Sequence, residues 1–206
     1  MILHIIPVGM NQTNCYVVGC EQTHRGAVID PGGEADRLLR EIDGSGLEVT
    51  HVLITHAHFD HIGAVAGIVE ATGAKLGIHA EERPLLEAGG GASMWGLSVD
   101  PSPPPDLELA PGQIIEVGTL NLEVLSTPGH SPGGVSFYEA AEGVVFVGDA
   151  LFSNGIGRTD LPGGDHATLI RSIREVLFEL PGETVVYPGH GPKTTVARER
   201  RTNPWV

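Results

Sequence analysis

The feature that most constrains this chain is a run of six residues holding three histidines and one aspartate: His56, His58, Asp60 and His61. The run follows apolar residues 52–54, which predict a strand buried on both faces. Side chains alternate along an extended chain, so His56 and His58 point to the same side. Where the chain turns into a helix, Asp60 and His61 face a second point nearby. Because imidazole and carboxylate groups bind Zn²⁺ and related ions, this spacing predicts two adjacent metal ions.

Two metal ions need more ligands than this run offers, and further candidates lie later in the chain. They are His130, Asp149 and His190, each of which follows a predicted apolar strand and lies beside a glycine. The ends of strands direct functional side chains into a shared crevice in α/β folds. A carboxylate that bridges two cations offsets charge on both, and Asp149 is the candidate for that position.

Strands and amphipathic helices alternate along the chain, which predicts an α/β fold in a single domain of 206 residues. The predicted strands cover residues 3–8, 14–18, 26–30, 49–55, 75–79, 114–117, 121–127, 134–138, 144–148 and 184–187. The predicted helices cover residues 35–42, 62–71, 81–88 and 167–180, and a short helix follows Lys193. Residues 89–105 hold four glycines and four prolines and are predicted to form a long loop.

The charge and the cysteine content exclude several classes of protein. The net charge of −14 argues against nucleic acid as a partner, because phosphate binding depends on clustered lysine and arginine. The two cysteines are too few for a disulfide framework, and Cys15 lies in an apolar run that predicts burial. No secretion signal is recognisable, and no apolar stretch reaches the roughly 18 residues of a membrane span. We therefore expect a soluble, cytoplasmic protein that acts on a small molecule and binds neither nucleic acid nor a membrane.

Residues 129–133 fit the Gly-x-Ser-x-Gly pattern of serine hydrolases, which is a competing interpretation. In those enzymes the N–H group after the serine helps to form the oxyanion hole, and a helix follows. Here Pro132 follows Ser131 and has no N–H group, and a strand is predicted next. We therefore do not expect a serine nucleophile.

The glycine-rich residues 155–160 follow Asp149 and contain Arg158 and Asp160. The guanidinium group of Arg158 is suited to binding an anionic group of a substrate. Alternatively, Arg158 and Asp160 form an ion pair that holds the loop. The sequence leaves both interpretations open.

The pattern His-x-His-x-Asp-His at residues 56–61, with the later histidines and aspartate, resembles the metallo-β-lactamase fold superfamily. Asp30, in the run Ile-Asp-Pro-Gly, matches the first motif of that superfamily, so the resemblance covers most of the chain. It implies a four-layer αββα sandwich with the metal site at one edge of the sheets. It also implies one metal ion bound by His56, His58 and His130, a second bound by Asp60, His61 and His190, and Asp149 as the bridging ligand.

Within the superfamily, residues 127–133 and 148–152 are similar to the hydroxyacylglutathione hydrolase (glyoxalase II) group, and the ending after His190 is similar to its short bacterial members. The longer enzymes have a C-terminal helical domain that helps to hold glutathione, which this chain is expected to lack. They also have a lysine and a tyrosine where this chain has Arg158 and Asp160.

Residues 155–160 are also similar to the persulfide dioxygenases, which use one iron bound at positions matching His56, His130 and Asp149. An iron-dependent sulfur dioxygenase is therefore the alternative function, and a non-catalytic metal-binding protein is a third. A structural zinc site is closed, whereas seven candidate ligands shared by two ions leave open positions for water, which argues against the third. A β-lactamase is not expected without an export signal, nor a ribonuclease with this charge.

The leading prediction is hydrolysis of a thioester, either hydroxyacylglutathione (S-lactoylglutathione) or a similar small anionic thioester. Two divalent ions roughly 3.5–4 Å apart would hold a hydroxide, because metal binding lowers the pKa of water to about 7. Asp60 would ligate one ion and orient that hydroxide, as the catalytic residue. A thiol, with a pKa of about 8–9, leaves without a strong general acid, which favours a thioester over an amide. Zinc is the expected metal, with iron and manganese left open because histidine and aspartate bind all three.

Overall fold

The computed structural model describes all 206 residues, Met1–Val206. They form two compact units, Met1–Leu109 with Glu116–Leu120 and Ala110–Ile115 with Asn121–Val206. Each unit contains most of one six-stranded sheet together with helices, so the predicted α/β composition is confirmed. That residues 1–206 act as a single domain without a C-terminal helical domain stays a prediction. None of the helices combines the length and the apolar composition that crossing a bilayer requires.

The first sheet consists of six strands that neighbour one another in chain order. They are β1 Ile2–Val8, β2 Thr13–Gly19, β3 Arg25–Ile29, β4 Glu48–Leu53, β5 Lys75–His79 and β6 Leu107–Leu109. The pairs β1–β2 and β2–β3 are antiparallel, whereas β3, β4, β5 and β6 run parallel. Parallel neighbours need crossover connections, and each of these crossovers leaves from the carboxyl end of a strand.

Helices occupy those crossovers and cover the sheet with apolar side chains. The α-helices are α1 Ala35–Ser45, α2 Phe59–Ile62, α3 Val65–Thr72 and α4 Arg83–Glu87, and the 3₁₀ helices are Ala80–Glu82 and Gly89–Trp95. Leu38 and Ile42 of α1 and Ile68 of α3 lie in one core cluster with Val28 and Val52 of the sheet. The predicted helix over residues 35–42 is thus confirmed, and it extends three residues further.

The helix predicted over residues 62–71 is confirmed from Val65 onward as α3, but its predicted start was wrong, because Ile62 ends a separate one-turn helix, α2. The break lies at Gly63 and Ala64, where the chain packs on the turn that follows β3. The Ala64 N–H group donates to the Pro31 carbonyl oxygen at 2.8 Å. A Cβ atom at Gly63 would lie 2.4 Å from the Gly32 carbonyl oxygen, so the two backbones are in direct contact. This tertiary contact ends α2 after one turn. It cannot be predicted from the helical spacing of apolar residues.

Residues 80–96 also differ from the prediction. The helix predicted over residues 81–88 is a 3₁₀ turn followed by α4, and the predicted long loop begins with the 3₁₀ helix Gly89–Trp95. Gly90 and Gly91 have φ angles of 66° and 76°, a region that glycine enters without steric cost. These angles are not those of a right-handed helix, so the two glycines bend the chain between short helical turns, where their abundance had predicted a loop.

The second sheet has the strand order β14-β13-β10-β9-β8-β7, and a separate hairpin pairs β11 with β12. These strands are β7 Ile114–Val117, β8 Leu120–Ser126, β9 Val135–Glu139, β10 Val144–Gly148, β11 Leu151–Phe152, β12 Gly155–Ile156, β13 Val185–Pro188 and β14 Thr194–Thr195. The central pair β10–β13 is parallel, and β8, β9 and β10 pair antiparallel. The strands β6, β11, β12 and β14 were not predicted, because two or three residues show no periodicity.

The helices of the second unit are α5 His166–Glu175, the 3₁₀ helix Leu177–Glu179 and α6 Val196–Thr202. Leu169 and Ile173 of α5 pack with Val145 and Val186 of the sheet in a second core cluster. The helix predicted over residues 167–180 therefore exists, but its last turn is a 3₁₀ helix. Its apolar stripe continues through both parts because Leu177 is also buried.

Candidate metal centre

In the first unit, the four predicted ligands of residues 56–61 lie close together at the carboxyl end of β4. The chain stays extended to His58, whose φ and ψ are −65° and 148°, and α2 begins at Phe59. The His56 ring lies 4.8 Å from the His58 ring and 4.0 Å from the His61 ring, measured between centroids. His56 and His61 are buried, whereas His58 and Asp60 are partly exposed. The run thus brings imidazole and carboxylate groups together at the carboxyl end of β4, as its spacing predicted.

Asp30 orients His61 and the start of this run. Its side chain is buried, Oδ1 accepts the Thr55 N–H group at 2.8 Å, and Oδ2 accepts the Thr55 hydroxyl at 2.6 Å. Oδ2 also lies 3.0 Å from His61 Nδ1. When Nδ1 donates to this carboxylate, the lone pair of Nε2 is available to a metal ion, the usual arrangement behind a metal-binding histidine.

Asp30 lies near enough to His56 and His61 for all three to be considered ligands of one ion. Its oxygens, however, already accept hydrogen bonds from Thr55 and face His61. The contacts of Asp30 therefore hold the predicted metal ligand His61 and the start of the run in place. The sequence resemblance identified Asp30 as a motif, and the structure supplies its contacts.

Asp60 is held by two residues that the sequence did not identify. Its Oδ2 atom accepts hydrogen bonds from Asn11 Nδ2 at 3.0 Å and from Thr13 Oγ1 at 3.2 Å. Both donors belong to the β1–β2 hairpin, 49 and 47 residues away in sequence. A Cβ atom at Gly32 would lie 1.8 Å from the Asp60 carbonyl oxygen, so the backbone of Asp60 is also tightly packed. No local pattern could have shown these contacts.

In the second unit, the three remaining predicted ligands also lie together. Asp149 follows β10 and His190 follows β13, and because these strands are parallel neighbours their carboxyl ends share one edge. The Asp149 Oδ2 atom lies 3.6 Å from Nε2 of His130 and 3.6 Å from Nε2 of His190. When two ligand atoms each lie about 2.0–2.2 Å from the same metal ion, the distance between the two atoms is close to the 3.6 Å found here. A carboxylate equally near to two histidines suits the bridging position predicted for Asp149.

His130 is oriented by the backbone of the 155–160 loop. Its Nδ1 atom lies 2.7 Å from the Arg158 carbonyl oxygen, so Nδ1 carries the proton and Nε2 faces Asp149. The close approach depends on Gly157, where a Cβ atom would lie 2.0 Å from the Asp149 carbonyl oxygen and 2.9 Å from His130 Nδ1. The neighbouring Ser131 is 1% exposed, as expected if it is not a nucleophile.

The Arg158 side chain forms the ion pair that was one of the two interpretations of this loop. Its Nε and Nη2 atoms donate to the two carboxylate oxygens of Asp160, each at 2.7 Å. The hydrogen bonds from Arg158 lower the pKa of the Asp160 carboxyl to about 2. Both side chains are exposed. That Arg158 binds a substrate stays a prediction.

The seven predicted ligands thus form two sets, four in the first unit and three in the second. Within each set, imidazole nitrogens and carboxylate oxygens converge and are held by other protein groups. This donor chemistry fits Zn²⁺, Fe²⁺ or Mn²⁺. That the two sets make one two-metal site stays a prediction of the sequence.

A family model described as the metallo-beta-lactamase superfamily matches residues 8–190 of the chain. A protein of Haemophilus influenzae named hydroxyacylglutathione hydrolase GloC is 39% identical over 209 residues, which cover 100% of this chain and 98% of that protein. A protein of Bacillus subtilis named "Probable metallo-hydrolase YqgX" is 40% identical over 205 residues, which cover 98% of this chain and 95% of that protein.

Solved structures agree with these sequence relatives. The crystal structure of BLEG-1, titled a B3 metallo-beta-lactamase, superposes with a TM-score of 0.94 and 40% identity over 99% of both chains. A di-iron-bound form of TTHA1623 gives a TM-score of 0.91 and 42% identity over 98% of this chain and 100% of that one. ETHE1 from Myxococcus xanthus gives a TM-score of 0.83 and 34% identity over 99% of this chain and 84% of that one. The predicted fold class is confirmed by these similarities.

Proposed function

The chain belongs to the metallo-β-lactamase superfamily and has its fold, and on that premise we propose that it is a metal-dependent hydrolase that cleaves a small anionic thioester. The observation that carries the proposal is the position of Asp149, 3.6 Å from both His130 and His190. A carboxylate shared by two histidines in this way is suited to bridge two ions. The whole-length similarity to a protein named hydroxyacylglutathione hydrolase supports S-lactoylglutathione as the first substrate to test.

The proposed ligands of the two ions are those that the resemblance to the superfamily implies. One ion would be held by His56, His58 and His130, the other by Asp60, His61 and His190, and Asp149 would bridge them. When bound, two such ions lower the pKa of water and polarise a carbonyl group. Zinc is the proposed metal.

The protein groups around the ligands determine how the reaction is oriented. Asp30 holds His61 and the Arg158 carbonyl holds His130, so both rings present Nε2. Asn11 and Thr13 hold one oxygen of Asp60, and the carboxylate fixed in this way would orient the attacking water. The leaving thiolate needs no strong general acid, since a thiol has a pKa of about 8–9. The thioester is therefore a substrate class that the metal-loaded site would cleave without a separate general acid.

The test is hydrolysis of S-lactoylglutathione by the zinc-loaded protein and by the variant Asp60→Asn. We expect the variant to lose at least about 100-fold in kcat while its fold and metal-free Tm are kept, because the asparagine cannot act as the same anionic ligand and acceptor. Asp43→Asn, at an exposed helix position, removes an equal charge as the matched control. Full activity of Asp60→Asn would remove Asp60 from the reaction.

The alternative function is an iron-dependent persulfide dioxygenase, and two observations favour keeping it. The segment 155–160 is similar to those enzymes, and the whole chain is similar to the structure titled ETHE1. Metal analysis of protein purified without added metal distinguishes the two functions. One iron per chain, with oxygen consumed in the presence of a persulfide, would replace the hydrolase proposal.

Other hydrolysable substrates belong in the same assay. The similarity to BLEG-1 makes a chromogenic β-lactam the relevant comparison substrate. We expect faster turnover of the thioester, and a preference for the β-lactam would change the proposed substrate class.

The cytoplasmic location, the small-molecule partner and substrate binding by Arg158 are part of the same proposal. The third hypothesis is a non-catalytic metal-binding protein. A metal site in which no coordination position is open to water would support it.

A further inference from the structure

Glu82 is a carboxylate buried in the first unit, and the predicted metal ligands do not include it. Its side chain is 0% exposed, and its Oε2 atom accepts the Ala57 N–H group at 2.7 Å. Ala57 is the residue between His56 and His58. The hydrogen bond therefore holds the peptide from which both of those histidines project.

A second contact from the same segment lies on the other side of Ala57. A Cβ atom at Gly90 would lie 2.7 Å from the Ala57 carbonyl oxygen and 2.4 Å from the Phe59 nitrogen. Gly90 reaches this position with a φ angle of 66°. Residues 82–90 thus contact both backbone polar groups of Ala57, its N–H through Glu82 and its carbonyl through Gly90.

Glu82 carries a negative charge, which accepting the hydrogen bond from Ala57 does not itself require. A neutral glutamine has the same reach and an oxygen that accepts the same N–H group. A buried carboxylate is costly unless a positive charge or several hydrogen bonds compensate it. A cation bound by the neighbouring histidines would interact favourably with the charge of Glu82.

We propose that Glu82 is a positioning residue for the metal ion that His56 and His58 bind. Its hydrogen bond to Ala57 keeps both imidazoles directed at the ion, and its negative charge stabilises the cation from outside the ligand set. The inference uses the metal site of the proposed function, but it does not depend on which substrate is cleaved.

The experiment measures zinc binding to the full-length protein by competition with a chromogenic chelator. The variant is Glu82→Gln, and Glu81→Gln is the matched control because Glu81 is the exposed neighbour. We expect zinc to bind Glu82→Gln about 10- to 100-fold more weakly, the usual loss when a group that supports a metal ligand is changed. The metal-free variant should still unfold cooperatively, because the amide oxygen can accept from the Ala57 N–H group. With saturating zinc, KM should be unchanged.

Zinc affinity of Glu82→Gln equal to that of the wild type and of Glu81→Gln would overturn the proposal. If Glu82→Gln does not fold, Glu82→Asp is measured instead, since it keeps the charge but is one methylene too short to hold Ala57 in the same way. Weaker zinc binding by Glu82→Asp supports the proposal, and unchanged binding overturns it. If the wild type binds zinc but does not cleave thioesters, the proposed function fails while this result still stands on affinity alone.

Discussion

The substitution Asp30→Asn tests how the protein sets the protonation of His61, a proposed metal ligand. Asp30 presents one oxygen to the Thr55 N–H group and the other to the Thr55 hydroxyl and to His61 Nδ1. In the variant, the amide oxygen can still accept from the Thr55 N–H group. The amide NH₂ group then faces His61, which must accept at Nδ1 and carry its proton on Nε2. That proton blocks the lone pair that a metal ion needs.

The size of the effect follows from the contact that must be given up. For His61 to bind a metal ion through Nε2, its proton has to be on Nδ1. The Nδ1–H group then faces the amide NH₂ group, and these two buried donors are left without an acceptor. Such a loss costs about 1–3 kcal/mol, which corresponds to roughly 5- to 140-fold weaker metal binding. The backbone should tolerate the change, because Asp30 has a φ angle of 51° and asparagine adopts this region as readily as aspartate.

Zinc affinity by chelator competition is the main measurement, and nitrogen-15 NMR of the histidine rings reports which nitrogen of His61 is protonated. Asp43→Asn, on the exposed face of α1, removes the same charge as a control and should bind zinc like the wild type. An Asp30→Asn protein that unfolds cooperatively and binds zinc as tightly as the wild type would refute the argument that Asp30 sets the tautomer of His61.

Two further predictions concern packing and the exposed loop. Gly32→Ala should lower the free energy of unfolding by about 1–3 kcal/mol, because its Cβ atom would lie 1.8 Å from the Asp60 carbonyl oxygen. Gly44→Ala, in α1 with nothing within 4 Å, should raise it by about 0.5–1 kcal/mol, and equal urea midpoints for the two variants would contradict the contact. Carbon-13 NMR should show the Asp160 carboxyl titrating at a pKa of about 2, because the hydrogen bonds from Arg158 lower it, and near 3.9 in Arg158→Ala. Since this pKa is depressed, the ion pair should be intact above the ordinary value and be lost as the pH falls through about 2, and an unchanged midpoint in the variant would show that Arg158 is not the cause.

The proposed metal ligands could be identified from the sequence because their signals are local. His56, His58, Asp60 and His61 occur within six residues, and Asp149 and His190 follow apolar strands. Alternation along an extended chain and the end of a strand determine where such side chains point. These properties depend on neighbouring residues only, so they are present in the sequence before any tertiary contact forms.

The groups that hold those ligands could not be identified in the same way. Glu82 and Ala57 are 25 residues apart, and Asn11 and Asp60 are 49 residues apart. Neither Glu82 nor Asn11 belongs to a recognisable motif. Each acquires its role only because separate crossovers and hairpins meet at the carboxyl end of β4.

The break between α2 and α3 has the same origin. The spacing of Ile62, Val65 and Ile68 is helical, and the sequence alone therefore favours one continuous helix. The turn at Pro31 and Gly32 packs against the backbone there and interrupts it. The sequence by itself determined which side chains are candidate metal ligands and where the longer strands lie, because those follow from local geometry. The tertiary structure alone decided which carboxylates, carbonyls and glycines hold the ligands, because such contacts join residues that only folding brings together.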